Sequence, residues 1–363
     1  MRTLTLRTLV LVLVLTTSPL LAACSSSGGD PGAGSGGATS STGSATASGA
    51  GGMAATSSSA GGDASSSSSG AGGAGGVAVD PSGTFVAVGY GGRRIRSTDD
   101  GVTWTDDVSL NPAGGDDLDL LRTIAWGNGL FVAAGWRIMT SPDGVTWKDT
   151  PPDAFGQNWI GQMAYGESSF VGLGGYGSRV SSPDAVTWMQ HSIDTTASHP
   201  QGGIAFAKGK GFVSINDSGD ISHSADGATW AYPGTNVMGG AHAVVYGNGL
   251  FLAVSDVGVI TSSDGVTWTG PAPFATMDVR SLLFAQGHFT VISPEHVYTS
   301  GDGAAWLDHD AKGLFIYHAA YGHGAYVAFD GTKTRRSTDG LTWSDPVDLG
   351  GKNSLERVVF GPK

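Results

Sequence analysis

Ser262-Ser263-Asp264-Gly265-Val266-Thr267-Trp268 decides the fold, because the chain keeps returning to it. The phrase recurs as TDDGVTW ending at Trp104, SPDGVTW at Trp147, SPDAVTW at Trp188, SADGATW at Trp230, SGDGAAW at Trp306 and STDGLTW at Trp343. Successive tryptophans stand 43, 41, 42, 38, 38 and 37 residues apart. A steady period of this size marks a protein assembled from one repeated supersecondary unit.

A second phrase precedes each tryptophan: TFVAVG, LFVAAG, SFVGLG, GFVSIN, LFLAVS, HFTVIS and AYVAFD, with its aromatic at Phe85, Phe131, Phe170, Phe212, Phe251, Phe289 and Tyr326. A third lies just upstream, as in RTIAWGNG, GQMAYGES and HAVVYGNG, an apolar run entering a Gly-containing turn. With the stretches flanking the Asp, each repeat reads as four short strands and no helix. Seven such units predict an all-β fold, a seven-bladed β-propeller of four-stranded antiparallel blades over residues 77–363, which shields its strand edges by closing on itself. SLERVVFG at 354–361 resembles an additional first strand, although VAVDPSG at 77–83 already precedes the first blade. The expectation is that the C-terminal strand pairs at the inner position of that blade.

The repeated phrase resembles the Asp box of bacterial neuraminidases, sortilin-type receptors and photosystem II assembly factors, written Ser-x-Asp-x-Gly-x-Thr-Trp. Ser97, Asp99, Gly101, Thr103 and Trp104 match it in full, and the other six are one residue shorter between Ser and Gly. Ala185 stands where Gly is expected, and Ala305 replaces Thr. The resemblance implies a structural role for Asp99, Asp143, Asp184, Asp226, Asp264, Asp302 and Asp339 and for their tryptophans Trp104, Trp147, Trp188, Trp230, Trp268, Trp306 and Trp343. Asp and Ser would bind the turn backbone, Gly would supply unusual dihedrals, and Trp would fill the gap between blades. It also places these turns between third and fourth strands, opposite the binding face.

Function must then be sought at the central mouth, where the first strands begin. Four residues before the aromatic that ends each first strand stand Arg122, Gly161, Gly202, His242, Arg280, Tyr317 and Glu356; three before it stand Thr123, Gln162, Gly203, Ala243, Ser281, His318 and Arg357. Arg122, Gln162, His242, Arg280, Tyr317, His318, Glu356 and Arg357 are the candidate ligand residues. Such a ring suits an anionic or polyhydroxyl ligand held by charge-assisted hydrogen bonds.

Catalytic sialidases carry an arginine triad, a Tyr with a carboxylate partner, an Asp acid and an Arg-Ile-Pro phrase before the first box. Here the nearest sequences, RIR at 94–96 and RIM at 137–139, lack the proline, and no triad maps residue by residue. Glu167, Glu295 and Glu356 are the three glutamates of the chain, and Glu356 with Tyr317 is the pairing open to a hydrolase. Asp116, Asp117, Asp119, Asp278 and Asp310 keep a two-carboxylate glycosidase open as well. The preferred expectation is a non-catalytic propeller that binds a protein or glycan, with a sialidase-like glycosidase and an envelope-complex assembly factor as alternatives. Gly172, Gly174 and Gly177 match a dinucleotide fingerprint but fall in a hairpin with no helix after it. Asp308-His309-Asp310 reads as a solvated loop, and neither a metal nor a cofactor is expected.

The first 76 residues set the compartment. Arg2 and Arg7 flank the apolar run Leu9–Leu15, followed by Leu21-Ala22-Ala23-Cys24, which reads as a signal peptide at 1–23. The run is shorter than the roughly 20 residues a membrane-spanning helix needs. Small residues before a cysteine resemble the lipobox of bacterial lipoproteins, which implies lipidation of Cys24, the single cysteine of the chain. No disulfide framework is therefore possible. Residues 24–76 are almost wholly Gly, Ser, Ala and Thr, a composition expected to stay disordered. A coil of this kind spans roughly 40 Å over about 50 residues, enough to hold a domain off an outer membrane or cell surface. Removal of the signal leaves 17 basic against 31 acidic residues, a formal charge of −14. Such a charge excludes nucleic acid as a partner and assigns membrane attachment to the lipid alone, on a protein expected to be monomeric.

Overall fold

A computed structural model describes residues 83–115, 117–150, 159–191, 202–216, 218–232, 234–236, 241–272 and 278–362. The signal peptide, Cys24, the Gly/Ser stretch, the VAV run at 77–79 and Asp116 lie outside the described residues. The described residues form seven antiparallel sheets, one per repeat, in consecutive strand order. The first blade is the exception in connectivity. Its inner strand is Leu355–Pro362, which pairs with Gly83–Gly89, followed by Arg94–Ser97 and Thr105–Val108. The register places Phe85 opposite Phe360 and Val86 opposite Val359, so the two ends of the propeller close it within one sheet.

The apolar phrases are apolar at every position because each strand is buried on both faces. Phe85 and Ala87 pack with Ala320, Val327 and Phe329 of the seventh blade, whereas Val86 and Val88 pack with Ile124, Phe131 and Met139 of the second. Neighbours along a strand point to opposite faces, so alternate residues serve different seams. The core is accordingly seven interblade layers, each drawn from two adjacent blades. The glycine that follows a first-strand aromatic is part of this packing. A Cβ on Gly127 would lie 2.0 Å from the Tyr165 ring of the next blade, and one on Gly322 would lie 2.0 Å from Phe360.

The fourth blade departs from the four-stranded expectation. It has the strands Gly203–Ala207, Gly211–Ile215 and Ile221–Ser224, and its outer segment pairs through two isolated bridges, His223 with Ala231 and Asp220 with Asn236. Pro233 interrupts that segment in the sequence and has no N–H to offer a ladder. Backbone bonds join His223 with Ala231 in both directions at 2.8 Å and Ile221 with Thr235 at 3.1 Å, and side chains add to them: Asn236 Nδ2 and the Tyr232 hydroxyl donate to Asp220 Oδ1 at 2.7 and 3.2 Å. Asp308-His309-Asp310 is also not a loop. It lies on the outer strand Leu307–Asp310, where Asp308 meets His296 Nδ1 at 2.8 Å and His309 meets Thr299 at 3.1 Å. Gly172 and Gly174 lie on the strand Ser169–Gly174 and Gly177 in the turn after it, as the hairpin reading has them.

Each repeated phrase closes the turn from the third to the fourth strand. In the fifth blade Ser262 Oγ donates to Asp264 and accepts from the Gly265 N–H at 2.8 Å. Asp264 Oδ1 accepts from the Val266 and Thr267 N–H groups at 2.8 and 2.7 Å, and Trp268 Nε1 donates to the Gly265 carbonyl at 3.1 Å. The backbone donors of Thr267 and then Val266, with the Ser262 hydroxyl, hold the Asp264 carboxyl at about 2, below its ordinary value. The other six aspartates are displaced in the same direction. A carboxylate whose folded pKa is depressed stabilises the fold above its unfolded pKa, near 3.9, and that contribution is lost as pH falls towards the folded value. Melting temperature is therefore expected to fall between about pH 4 and pH 2, and Asp264→Asn is expected to flatten that slope. A pH-independent melting temperature over this window would refute the role given to the boxes.

The extra residue of the first box has a use of its own. Asp100 adopts a left-handed backbone, φ 60°, and reaches the seventh blade, where its carboxylate meets His323 Nδ1 at 2.7 Å and its carbonyl accepts from Arg336 Nε. Trp104 Nε1 has no hydrogen-bond partner among the described residues. The first box thus gives up one internal bond and clasps the seam at which the ring closes.

Candidate functional site

First and third strands of a blade run the same way, so the boxes that end the third strands lie opposite the points where the first strands begin. Those starting points share a local irregularity. The ladder shifts register at Arg122, Gly161, His242 and Glu356, each the extra residue of a β-bulge. A bulge re-aims the side chains around it, here at the mouth of the central channel. The bulges need room behind them: a Cβ on Gly135 or Gly89 would collide with the carbonyl of Leu120 or Ser354, at 1.9 and 2.1 Å.

Two cavities open at this mouth. The inner one, about 90 Å³, is lined by Gln162, Gly202, Gly203, His242, Ala243, Val244, Arg280, Ser281, Leu282, Tyr317, His318 and Arg357. The outer one, about 320 Å³, is lined by Val279, Arg280, Tyr317, Glu356 and Arg357. Seven of the eight candidate residues therefore surround one connected site, and Arg280, Tyr317 and Arg357 border both compartments. Arg122 does not line either. Its guanidinium lies over the Trp159 ring at 4.8 Å and pairs with Asp117 at 3.2 Å.

The charges at the mouth are largely spoken for. Arg280 holds both oxygens of Asp278, at 2.8 and 2.9 Å. His242 Nε2 lies 2.5 Å from Asp256 Oδ1. Arg357 donates to the Glu356 carbonyl at 2.9 Å, and Glu356 accepts from the Ser354 hydroxyl at 3.3 Å. Desolvation presses the Arg357 pKa below its ordinary value, with the Glu356 charge opposing that shift. His318 is buried and accepts from the Val358 N–H at 3.4 Å, while Tyr317 is half exposed and presents its ring to both compartments.

Asp256, Asp278 and Val279 belong to the site although the first-strand register does not point to them. Asp278 carries a local signal, since a carboxylate two residues before Arg280 is well placed to clamp it. Asp256 carries none, because it sits in the turn after the second strand and meets His242 only through the sheet. Of the carboxylates held open for a glycosidase, Asp278 stands at the mouth on Arg280, whereas Asp117 and Asp119 accompany Arg122 and Arg137, and Asp310 lies 3.8 Å from Lys312. Glu356 is the one carboxylate that lines either cavity.

No protein-family model matches the chain, and no curated protein matches it. Solved structures do. One is catalytically inactive virginiamycin B lyase from Staphylococcus aureus with quinupristin, at 7% identity, covering 64% of this chain and 90% of that one with a TM-score of 0.53. The WD40 β-propeller domain of Doa1 is similar at 12% identity, over 74% of this chain and 90% of that one, with a TM-score of 0.52. YCF48 from Cyanidioschyzon merolae is 15% identical over 65% of this chain and 93% of its own, with a TM-score of 0.48. At these identities the likeness to the lyase and to the Doa1 domain shows the propeller fold and nothing of the chemistry.

Proposed function

We propose that this chain is a lipid-anchored propeller of a bacterial envelope, held off its membrane by the Gly/Ser stretch, that binds a protein or glycan partner at the central mouth without turning it over. The observation that carries this reading is the convergence of Gln162, His242, Arg280, Tyr317, His318 and Arg357, from five different blades, on one connected cavity. A cavity with convergent donors and an aromatic wall is the usual form of a binding site. Hydrolysis of a glycoside by the common route needs two carboxylates flanking the bond, and Glu356 is alone among the groups lining the two cavities. The resemblance of residues 1–24 to a lipoprotein signal and lipobox supports the envelope location, and Cys24→Ser is expected to move the protein from the membrane to the soluble fraction.

The test is an array of glycans and envelope peptides read both for retained protein and for released product. Arg280→Ala is expected to weaken retention about tenfold, the cost of one charge-assisted hydrogen bond. Tyr317→Ala is expected to weaken it as well, whereas Arg122→Ala is expected to change nothing. Released sugar that disappears in Glu356→Gln would replace this reading with a hydrolase. Equal retention by wild type and Tyr317→Ala would move the site away from the mouth.

A further inference from the structure

Successive residues of a regular strand point to opposite faces, yet Glu356 and Arg357 line the same cavity. The bulge at Glu356 makes this possible, because the register steps from the Val88–Arg357 pair to the Gly89–Leu355 pair and leaves Glu356 unpaired in the ladder. Two opposite charges are thereby delivered side by side. Arg280 and His242 already have carboxylate partners, whereas neither Glu356 nor Arg357 forms an ion pair among the described residues. The Arg357 guanidinium meets a backbone carbonyl, and desolvation works against its charge, a cost that an arriving anion would relieve. The Tyr317 ring and the Val279 side chain complete the walls. At about 320 Å³ the compartment is metabolite-sized, at the lower end of the range for small-molecule pockets. The inner compartment, about 90 Å³, admits a small polar group of a ligand whose body stays in the outer one.

We propose that the outer cavity receives an α-amino-acid group, with its carboxylate on Arg357, its ammonium on Glu356 and an aliphatic or aromatic side chain against Tyr317 and Val279. The assignment rests on the reading of the mouth as a binding site and names the chemistry it recognises. The group can arrive as a free amino acid or as the exposed amino-acid end of an envelope polymer. A purely anionic ligand would leave Glu356 facing it unpaired, and a purely cationic one would leave Arg357 so.

Calorimetric titration of the protein with leucine, 4-methylpentanoate and 3-methylbutylamine separates the two charges. Leucine is expected to bind at least about tenfold more tightly than either analogue, as loss of one charged hydrogen-bond partner requires. Glu356→Gln is expected to close the gap between leucine and 4-methylpentanoate, leucine losing its ammonium partner and the acid losing a facing negative charge, and Arg357→Gln to abolish binding of both. Glu356 is partly exposed, so its variant carries the test even where Arg357→Gln lowers the melting temperature. A cell-wall peptide ending in diaminopimelate, titrated alongside, assigns the polymer source if it binds more tightly than leucine and the free source if it binds more weakly. Equal affinity of wild type for leucine and 4-methylpentanoate overturns the proposal. If the leucine series is silent while the array yields a ligand sensitive to Tyr317→Ala, the amino-acid assignment falls and the mouth reading stands; silence in both brings down both.

Discussion

A chain ending at Asn353 is expected to lose cooperative folding altogether. The missing residues form the inner strand of the first blade, and that strand serves two seams at once. Leu355, Val358 and Phe360 pack towards the seventh blade, and Val359 packs towards the second. All four are buried, the most exposed at 8%. Burial of an aliphatic or aromatic side chain contributes about 1.5–3 kcal/mol, so the four together contribute roughly 6–12 kcal/mol. Net domain stability is typically about 5–15 kcal/mol. Loss of the strand also bares the inner edge of Gly83–Gly89 and opens the ring between the first and seventh blades, where the Asp100 clasp is too small to compensate. Circular dichroism and tryptophan fluorescence during heating are the measurements. A sharp transition at the temperature of the full chain would show that the ring closes by some other means.

Phe251→Ala is expected to be the most damaging single substitution considered for the fold, at about 3–5 kcal/mol for a buried aromatic reduced to alanine. The ring is fully buried, stands 4.9 Å from the Tyr246 ring of the neighbouring strand, and lies opposite Ser262 of the box in the ladder. A Cβ on the box glycine, Gly265, would approach the ring to 3.2 Å, so the aromatic fills the space that the box leaves beneath it. Shrinking it to a methyl group opens a cavity that the rigid turn above cannot collapse into. Phe315, of the same residue type, is 62% exposed on the approach to the mouth. Its replacement by alanine is expected to stay within about 0.5 kcal/mol. Equal shifts in denaturation midpoint for the two variants would refute this account of the seams.

The site was legible in the sequence as far as local register reaches. Counting back from the first-strand aromatic identifies Gln162, His242, Arg280, Tyr317, His318, Glu356 and Arg357, because equivalent positions in equivalent blades meet at the same depth of the channel. The count does not foresee the partners of Arg122, whose guanidinium lies over Trp159 and pairs with Asp117. Nor does it find Asp256, whose carboxylate meets His242 from a different turn. Register says where a Cβ lies; the rest of a flexible charged side chain goes to the nearest group that satisfies it.

By itself the sequence determined the number of blades, the inner three strands of each, the box that locks each outer turn and the surplus strand that closes the ring. All of these depend on hydrogen bonds and alternations confined to a few neighbouring residues, and so repeat whenever the phrase repeats. Tertiary structure alone decided that the fourth blade's outer segment pairs through two isolated bridges, that Asp100 clasps the closing seam, and that Glu356 and Arg357 share one cavity beside Tyr317. The first depends on side chains peculiar to one repeat, and the other two on groups from distant parts of the chain that meet only after the ring has closed, so no local period records them.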